Sequence, residues 1–138
     1  MKAVVIYKFG SSSEFESTNV PTPILKPHEI LIKVQATSVN PLDIKLRRGM
    51  IPNLITNFPQ ILHGDVAGVI TAIGTEVCNF NIGDEVYGCV GGFLDMPGAL
   101  AEYVVADPKL ISHKPKSLTM QSAAALPLIA ETAWHALI

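Results

Sequence analysis

The chain has 138 residues, a formal net charge of −2 and a sequence pI of about 6.0, with 49% hydrophobic and 16% charged residues. That length supports one domain with a real core, and the composition is that of a packed globular protein, not a disordered one. No basic field is available to hold nucleic acid or an anionic membrane, and the longest apolar run, Ala123–Ala130, falls far short of the roughly 20 residues a membrane span needs.

In chain order, Lys2–Lys8 (KAVVIYK) reads as a first strand, too short an apolar run for a secretory signal. Pro21, Pro23 and Pro27 block helix and interior strand alike, so that stretch is expected to be an extended loop or edge segment. In Glu29–Asn40, Ile30, Ile32, Val34 and Ala36 alternate with Leu31, Lys33, Gln35 and Thr37, which predicts a strand with one mainly polar face. Pro41 suits a helix first turn, with Asn40 as N-cap. Leu42–Arg48 follows as a short helix that Gly49 closes.

Met50–Leu62 reads as an irregular loop around Pro52 and Pro59. Asp65–Gly74 predicts a strand in which Gly68 marks a close backbone approach. Glu85–Val90, Ala99–Ala106 and Leu110–Ser112 are further strands, separated by Gly- and Pro-rich turns. Ser117–Leu126 is helical, capped by Ser117 or Thr119; Pro127 interrupts it, and Leu128–Ile138 resumes a helical pattern without a stop signal. The fold class is therefore mainly β with short helices, a small barrel or sandwich. Cys78 and Cys89, the two cysteines, are expected to be reduced, half-buried strand residues of a cytoplasmic protein.

Five local motifs occur in order: Asn40-Pro-Leu-Asp43 with Arg48-Gly49; His63-Gly-Asp65-Val-Ala-Gly68-Val; Ile73-Gly74 with Phe80 and Gly83-Asp-Glu-Val-Tyr-Gly88; Gly98-Ala-Leu-Ala-Glu102-Tyr-Val; and Ala123-Ala-Ala-Leu-Pro127 with Thr132-Ala-Trp134. Together they resemble the first domain of the medium-chain dehydrogenase/reductase family, on the side of its zinc-free quinone oxidoreductases. The resemblance implies a GroES-like, partly open β-barrel at residues 1–126. It also implies that residues 127–138 begin the first helix leading into a Rossmann nucleotide-binding domain, before which this chain is truncated.

A catalytic zinc needs about three N, O or S protein ligands around an open position. By resemblance the family's ligand cysteine falls at Asn40 and its ligand histidine at Gly64, neither of which replaces them. A new site from His63, Asp65 and Cys89 is weighed against buried or polar strand residues, and the second reading is preferred; no metal is assigned. The catalytic assignment falls on Asn40 and Asp43. Asn40 is set to hydrogen-bond a ribose hydroxyl or orient a carbonyl acceptor, or else to serve only as an N-cap. Asp43 either shapes the cleft or is a first-turn acid stabilised by the helix dipole. The resemblance adds Asn40 and Thr132 as cofactor contacts. Met50 and Ile51 stand where many quinone reductases place a cleft tyrosine, giving an apolar substrate rim. Asp65 is assigned a structural hydrogen-bonding role. No Gly-x-Gly occurs, so no dinucleotide fingerprint is present.

The implied function is the substrate side of a zinc-independent oxidoreductase that reduces a quinone, enone or related carbonyl by hydride transfer from NADPH. The chain alone is expected to be inactive. Two alternatives are carried: a non-catalytic barrel acting through protein interaction, and a disfavoured zinc alcohol dehydrogenase domain. Leu126, Ile129, Ala133, Trp134 and Leu137 are expected to bury against a Rossmann domain, or otherwise to drive self-association through Leu126–Ile138.

Overall fold

A computed structural model describes residues 1–138. Two antiparallel sheets form the body. The smaller has the order β2–β1–β4, built from β1 (Lys2–Ile6), β2 (Glu16–Asn19) and β4 (Gln60–Ile61). The larger has the order β7–β3–β5–β6–β8, built from β3 (Ile30–Thr37), β5 (Asp65–Ile73), β6 (Glu85–Cys89), β7 (Tyr103–Ala106) and β8 (Ile111–His113). Three helices complete the chain: α1 (Pro41–Arg47), α2 (Met120–Ala124) and α3 (Pro127–Leu137). This is the mainly β, open-sheet architecture of a GroES-like domain.

Alternation decides the core. Ile30 and Ile32 of β3, Val66 and Ile70 of β5, Val86 of β6 and Val104 and Ala106 of β7 point inward and pack with Phe80, Val90, Ala99 and Ile111. A second cluster, Ile6, Leu46, Ile55 and Leu62, joins the small sheet to α1. On the outer face of the large sheet, Ala123 and Ala124 of α2 sit on Ala67 of β5. These small side chains let the helix lie close and put α2 and α3 over the same face as Asp65.

Several expectations are corrected. Glu16–Asn19 forms a strand because its backbone pairs with β1, although its residues ESTN carry no apolar signal. The loop expected over Met50–Leu62 contains β4, which pairs Ile61 with Val5. Only Tyr103–Ala106 of the expected Ala99–Ala106 strand is regular. The stretch before it changes partners: Ala99 N–H donates to His63 O (2.7 Å), Leu100 O accepts from Val4 N–H (2.7 Å) and Glu102 O accepts from Val34 N–H (2.9 Å). That segment ties the two sheets together and serves neither as a straight strand. Cys78 lies exposed in a turn, not in a strand; Cys89 is half-buried in β6.

Two glycines are dictated by geometry. Gly49 ends α1 with φ +70°, a conformation costly for a residue with a Cβ. Gly68 faces β3 so closely that a Cβ would stand 2.2 Å from Lys33 O. Gly68→Ala must therefore push β3 and β5 apart, at about 1–3 kcal/mol. Denaturant unfolding should show a lower midpoint with an unchanged slope; an unshifted midpoint would show that the two strands do not meet this tightly.

Candidate active site

Three segments far apart in sequence converge on the start of β5. Asp65 is fully buried, with its side chain on the helix-covered face and Cys89 opposite it in the strand register. Asp65 Oδ2 accepts from Ser38 Oγ (2.8 Å) and from Asn40 Nδ2 (2.9 Å). Asp65 Oδ1 accepts from the backbone N–H of Leu128 (3.0 Å). The carbonyl of Asp65 accepts from Thr37 Oγ1 (2.6 Å). Leu126 precedes α3 without a capping side chain, so Asp65 satisfies an otherwise orphaned amide of that helix's first turn from across the sequence. The structural role expected for Asp65 is thus visible.

Asn40 opens α1, where Pro41 fits because the first helical N–H needs no partner. Its backbone N–H donates to Asp43 Oδ2 (2.7 Å), and Asp43 N–H donates to the Asn40 carbonyl (3.0 Å). The Asn40 side chain lies in capping-box position beside Asp43 N–H, but no hydrogen bond closes there. Its amide is turned to Asp65 and Ser38 instead. Being the N-cap residue therefore does not use up this side chain.

Asp43 is buried behind Asn40. Burial raises its carboxyl above the ordinary value, against the pull of the Asn40 amide and of His63. His63 precedes β5 with φ 69°, so strand alternation does not govern its direction. Its ring meets Phe15 edge-on at 6.2 Å between centroids, and Nδ1 is buried without a partner. Burial lowers its pKa, while the Asp43 charge works the other way. Across the site, burial and then the Asp65 charge push the Cys89 thiol up to about 12.

A cleft of about 350 Å³ lies between the start of α1 and α3, lined by Asn40, Pro41, Leu42, Leu128, Ile129 and Thr132. The structure thus brings Asn40 and Thr132, the two positions assigned to a cofactor, onto one cleft. The Thr132 hydroxyl donates to Leu128 O (2.7 Å). Asp43 stands behind the cleft and does not line it. Met50 and Ile51 sit past the far end of α1 and line none of it; Met50 is 64% exposed. A neighbouring cleft of about 370 Å³ takes Cys89, Leu128, Glu131 and Thr132. Leu126, just before α3, is 41% exposed, and Ile129, Trp134 and Leu137 on it are 62%, 62% and 83% exposed. Sequence reasoning gave Ser38 no role and weighed His63 only as a metal ligand or a buried or polar strand residue. Ser38 lies two residues before Asn40, and that nearness was the available signal.

The profile of the family described as the alcohol dehydrogenase GroES-like domain matches residues 26–116. The chain belongs to that family. Its relatives include the mouse (Mus musculus) mitochondrial NAD(P)H oxidoreductase RTN4IP1, 40% identical over 152 residues, covering 99% of this chain and 38% of that protein. The tomato (Solanum lycopersicum) 2-methylene-furan-3-one reductase is 40% identical over 142 residues, covering 99% and 37%. The solved structure of the quinone oxidoreductase from Coxiella burnetii superposes with a TM-score of 0.92 at 40% identity, covering 99% of this chain and 44% of that one. The chain thus spans about two-fifths of the length of the curated relatives it matches.

The buried histidine gives this family member a pH signature. The folded pKa of His63 is depressed below the ordinary 6.5, so its contribution to stability is present above 6.5 and lost as pH falls through the folded value. Asp43 acts in the opposite sense: its raised pKa gives stability that is fullest below 3.8 and lost as pH rises through its folded value. Denaturation midpoints should therefore fall below pH 6.5 in the parent, and His63→Gln should flatten that limb. An equal acid limb in the variant would assign it to other groups.

Proposed function

We propose that this chain is the substrate side of an NADPH-dependent oxidoreductase that reduces a quinone, enone or related conjugated carbonyl without a catalytic metal. The observation that carries the reading is the cleft in which a fixed Asn40 amide faces α3 across otherwise apolar walls. That composition fits the nicotinamide end of a cofactor: a flat ring against Pro41, Leu42 and Ile129, with Asn40 as the orienting polar group and Thr132 on the opposite wall. When bound, the cofactor supplies the hydride. The chain's own residues bind and orient the reactants and exclude water.

The same residues suit zinc poorly, which supports metal independence. Asn40 commits its amide to Asp65, Gly64 has no side chain, and Asp65 uses both oxygens on three donors. The choice of NADPH over NADH rests on the family resemblance, and the relatives support NAD(P)H at the coarser level. Asp43 is read as holding the start of α1 behind Asn40. Met50 and Ile51 remain proposed as an apolar rim toward substrate. The domain limits proposed are 1–126 for the barrel and 127–138 for the first helix of a nucleotide-binding domain. The compartment proposed is the cytoplasm, on the two free cysteines; no helix is long and apolar enough to cross a membrane.

The test is made on the intact polypeptide from its source cells. An immunoblot band well above 14.8 kDa, at roughly twice that or more, is expected. The purified protein is expected to oxidise NADPH with a quinone or enone and to keep its rate after chelation. A band at 14.8 kDa with no NADPH binding would favour a non-catalytic barrel acting by interaction. Stoichiometric tightly held zinc would turn the assignment to an alcohol dehydrogenase.

The apolar face of α3 yields a second expectation. Made by itself, the 138-residue chain is expected to be inactive and to self-associate through Leu126, Ile129, Ala133, Trp134 and Leu137. Ile129→Glu with Leu137→Glu should shift its sedimentation toward monomer. A monomeric parent chain at high concentration would count against this face as a contact.

A further inference from the structure

Two unusual features meet at His63. Its φ of 69° is left-handed in a residue with a side chain, and its Nδ1 is the one buried side-chain polar atom without a hydrogen-bond partner. The backbone there is pinned. Ala99 N–H donates to His63 O (2.7 Å), and a Cβ on Gly92 would stand 2.9 Å from His63 N. Phe15 packs on the ring at 6.2 Å between centroids, and the Arg47 guanidinium lies 5.7 Å from the Phe15 centroid. Arg47 is itself buried and makes no ion pair. Its Nη1 donates to Gly10 O (2.7 Å), and its carbonyl accepts from Gly10 N–H (2.8 Å). Beyond Gly10, the hydrogen bonds of the segment up to Phe15 are local, and Ser11, Ser12 and Ser13 are exposed.

We propose that Gly10–Phe15 is a strap over His63, and that protonation of the imidazole releases it. The neutral ring packs against Phe15 as an aromatic body. A proton puts a charged N–H at the buried nitrogen with no acceptor in reach, which costs more than a neutral unpaired atom. No carboxylate is free to answer it. Asp43 of α1 acts on the ring, but its Oδ2 is turned to Asn40 N–H (2.7 Å), and burial raises its carboxyl so that acid neutralises it too. Asp65 of β5 accepts from Ser38, Asn40 and Leu128. Asp95, on the loop of Gly92, accepts from Thr56 N–H (3.0 Å) and Asn57 N–H (3.1 Å). Glu14 of the strap pairs with Lys8 (3.5 Å). The remaining charge, Arg47, is a second cation at Phe15.

With its backbone pinned, the ring reaches water when its cover leaves. Phe15 and the two Gly10–Arg47 bonds are what hold that cover. Release also frees Arg47, so the strap ties the seating of the last turn of α1 to pH. The sign follows from burial, which sets the folded pKa of His63 below 6.5. Above 6.5 the neutral ring keeps the strap closed, and opening grows easier as pH falls from there to the folded value.

Hydrogen exchange on the intact protein tests this, after correction for the intrinsic pH dependence of exchange. Protection of the Gly10 amide should drop about tenfold for each unit of pH below 6.5, as one proton taken up on opening requires. That opening should be nearly insensitive to denaturant, whereas the Ile70 amide of β5 should exchange through global unfolding, with a steep denaturant dependence. In His63→Gln the pH dependence at Gly10 should vanish. In Phe15→Ala, with the cover gone, the His63 ring should titrate closer to 6.5 than in the parent when followed by NMR. Flat Gly10 protection across this range would overturn the proposal, as would a Gly10 amide that opens only together with Ile70. An unchanged slope in folded His63→Gln, or an unmoved ring titration in folded Phe15→Ala, would do the same. Should neither variant fold, the pH and denaturant dependence of Gly10 in the parent decides.

Discussion

A carboxylate with no exposure to water needs donors, and Asp65 finds them in two segments that lie far apart in sequence. Ser38 and Asn40 come from the link between β3 and α1, and Leu128 comes from the first turn of α3. The charge cannot be left uncompensated, because an unpaired buried carboxylate costs several kcal/mol. Both segments are therefore held in place by the need to solvate one side chain. That need sets where α1 begins, where α3 begins, and the width of the cleft between them.

Burial governs the ionisable groups around this carboxylate. It raises Asp43, lowers His63 and raises Cys89, the direction in each case favouring the uncharged form. Such surroundings strengthen every remaining dipole, since little water competes for it. Asn40 and Thr132 are the polar residues that line the cleft beside this carboxylate.

Most of the large sheet was legible because its strands alternate. Ile30 and Ile32 in β3 and Val66 and Ile70 in β5 lie inward as the pattern requires. The helix starting at Pro41 was legible from its cap and its proline. Glu16–Asn19 was not, because its stability comes from backbone pairing and its side chains say nothing about it. Ala99–Glu102 misled because a strand-like composition does not reveal a change of partner. Within the site, Asn40, Asp43 and Asp65 stood out as motif residues. Their connections did not: the bond from Leu128 to Asp65 spans 63 positions and uses a backbone N–H, which has no letter in the sequence. The direction of His63 was not legible either, because it depends on a left-handed φ that its residue type does not announce.

The sole tryptophan, Trp134, stands on α3 with 62% of its surface open, outside both clusters that make the barrel core. While nothing covers that helix its emission will be red-shifted, and it will change little when the sheets melt. What it will register is whatever comes to lie over that helix. Intrinsic fluorescence, the usual gauge of folding, is in this molecule a gauge of docking, and melting curves of the barrel have to be followed by circular dichroism or by the tyrosines on β6 and β7, Tyr87 and Tyr103.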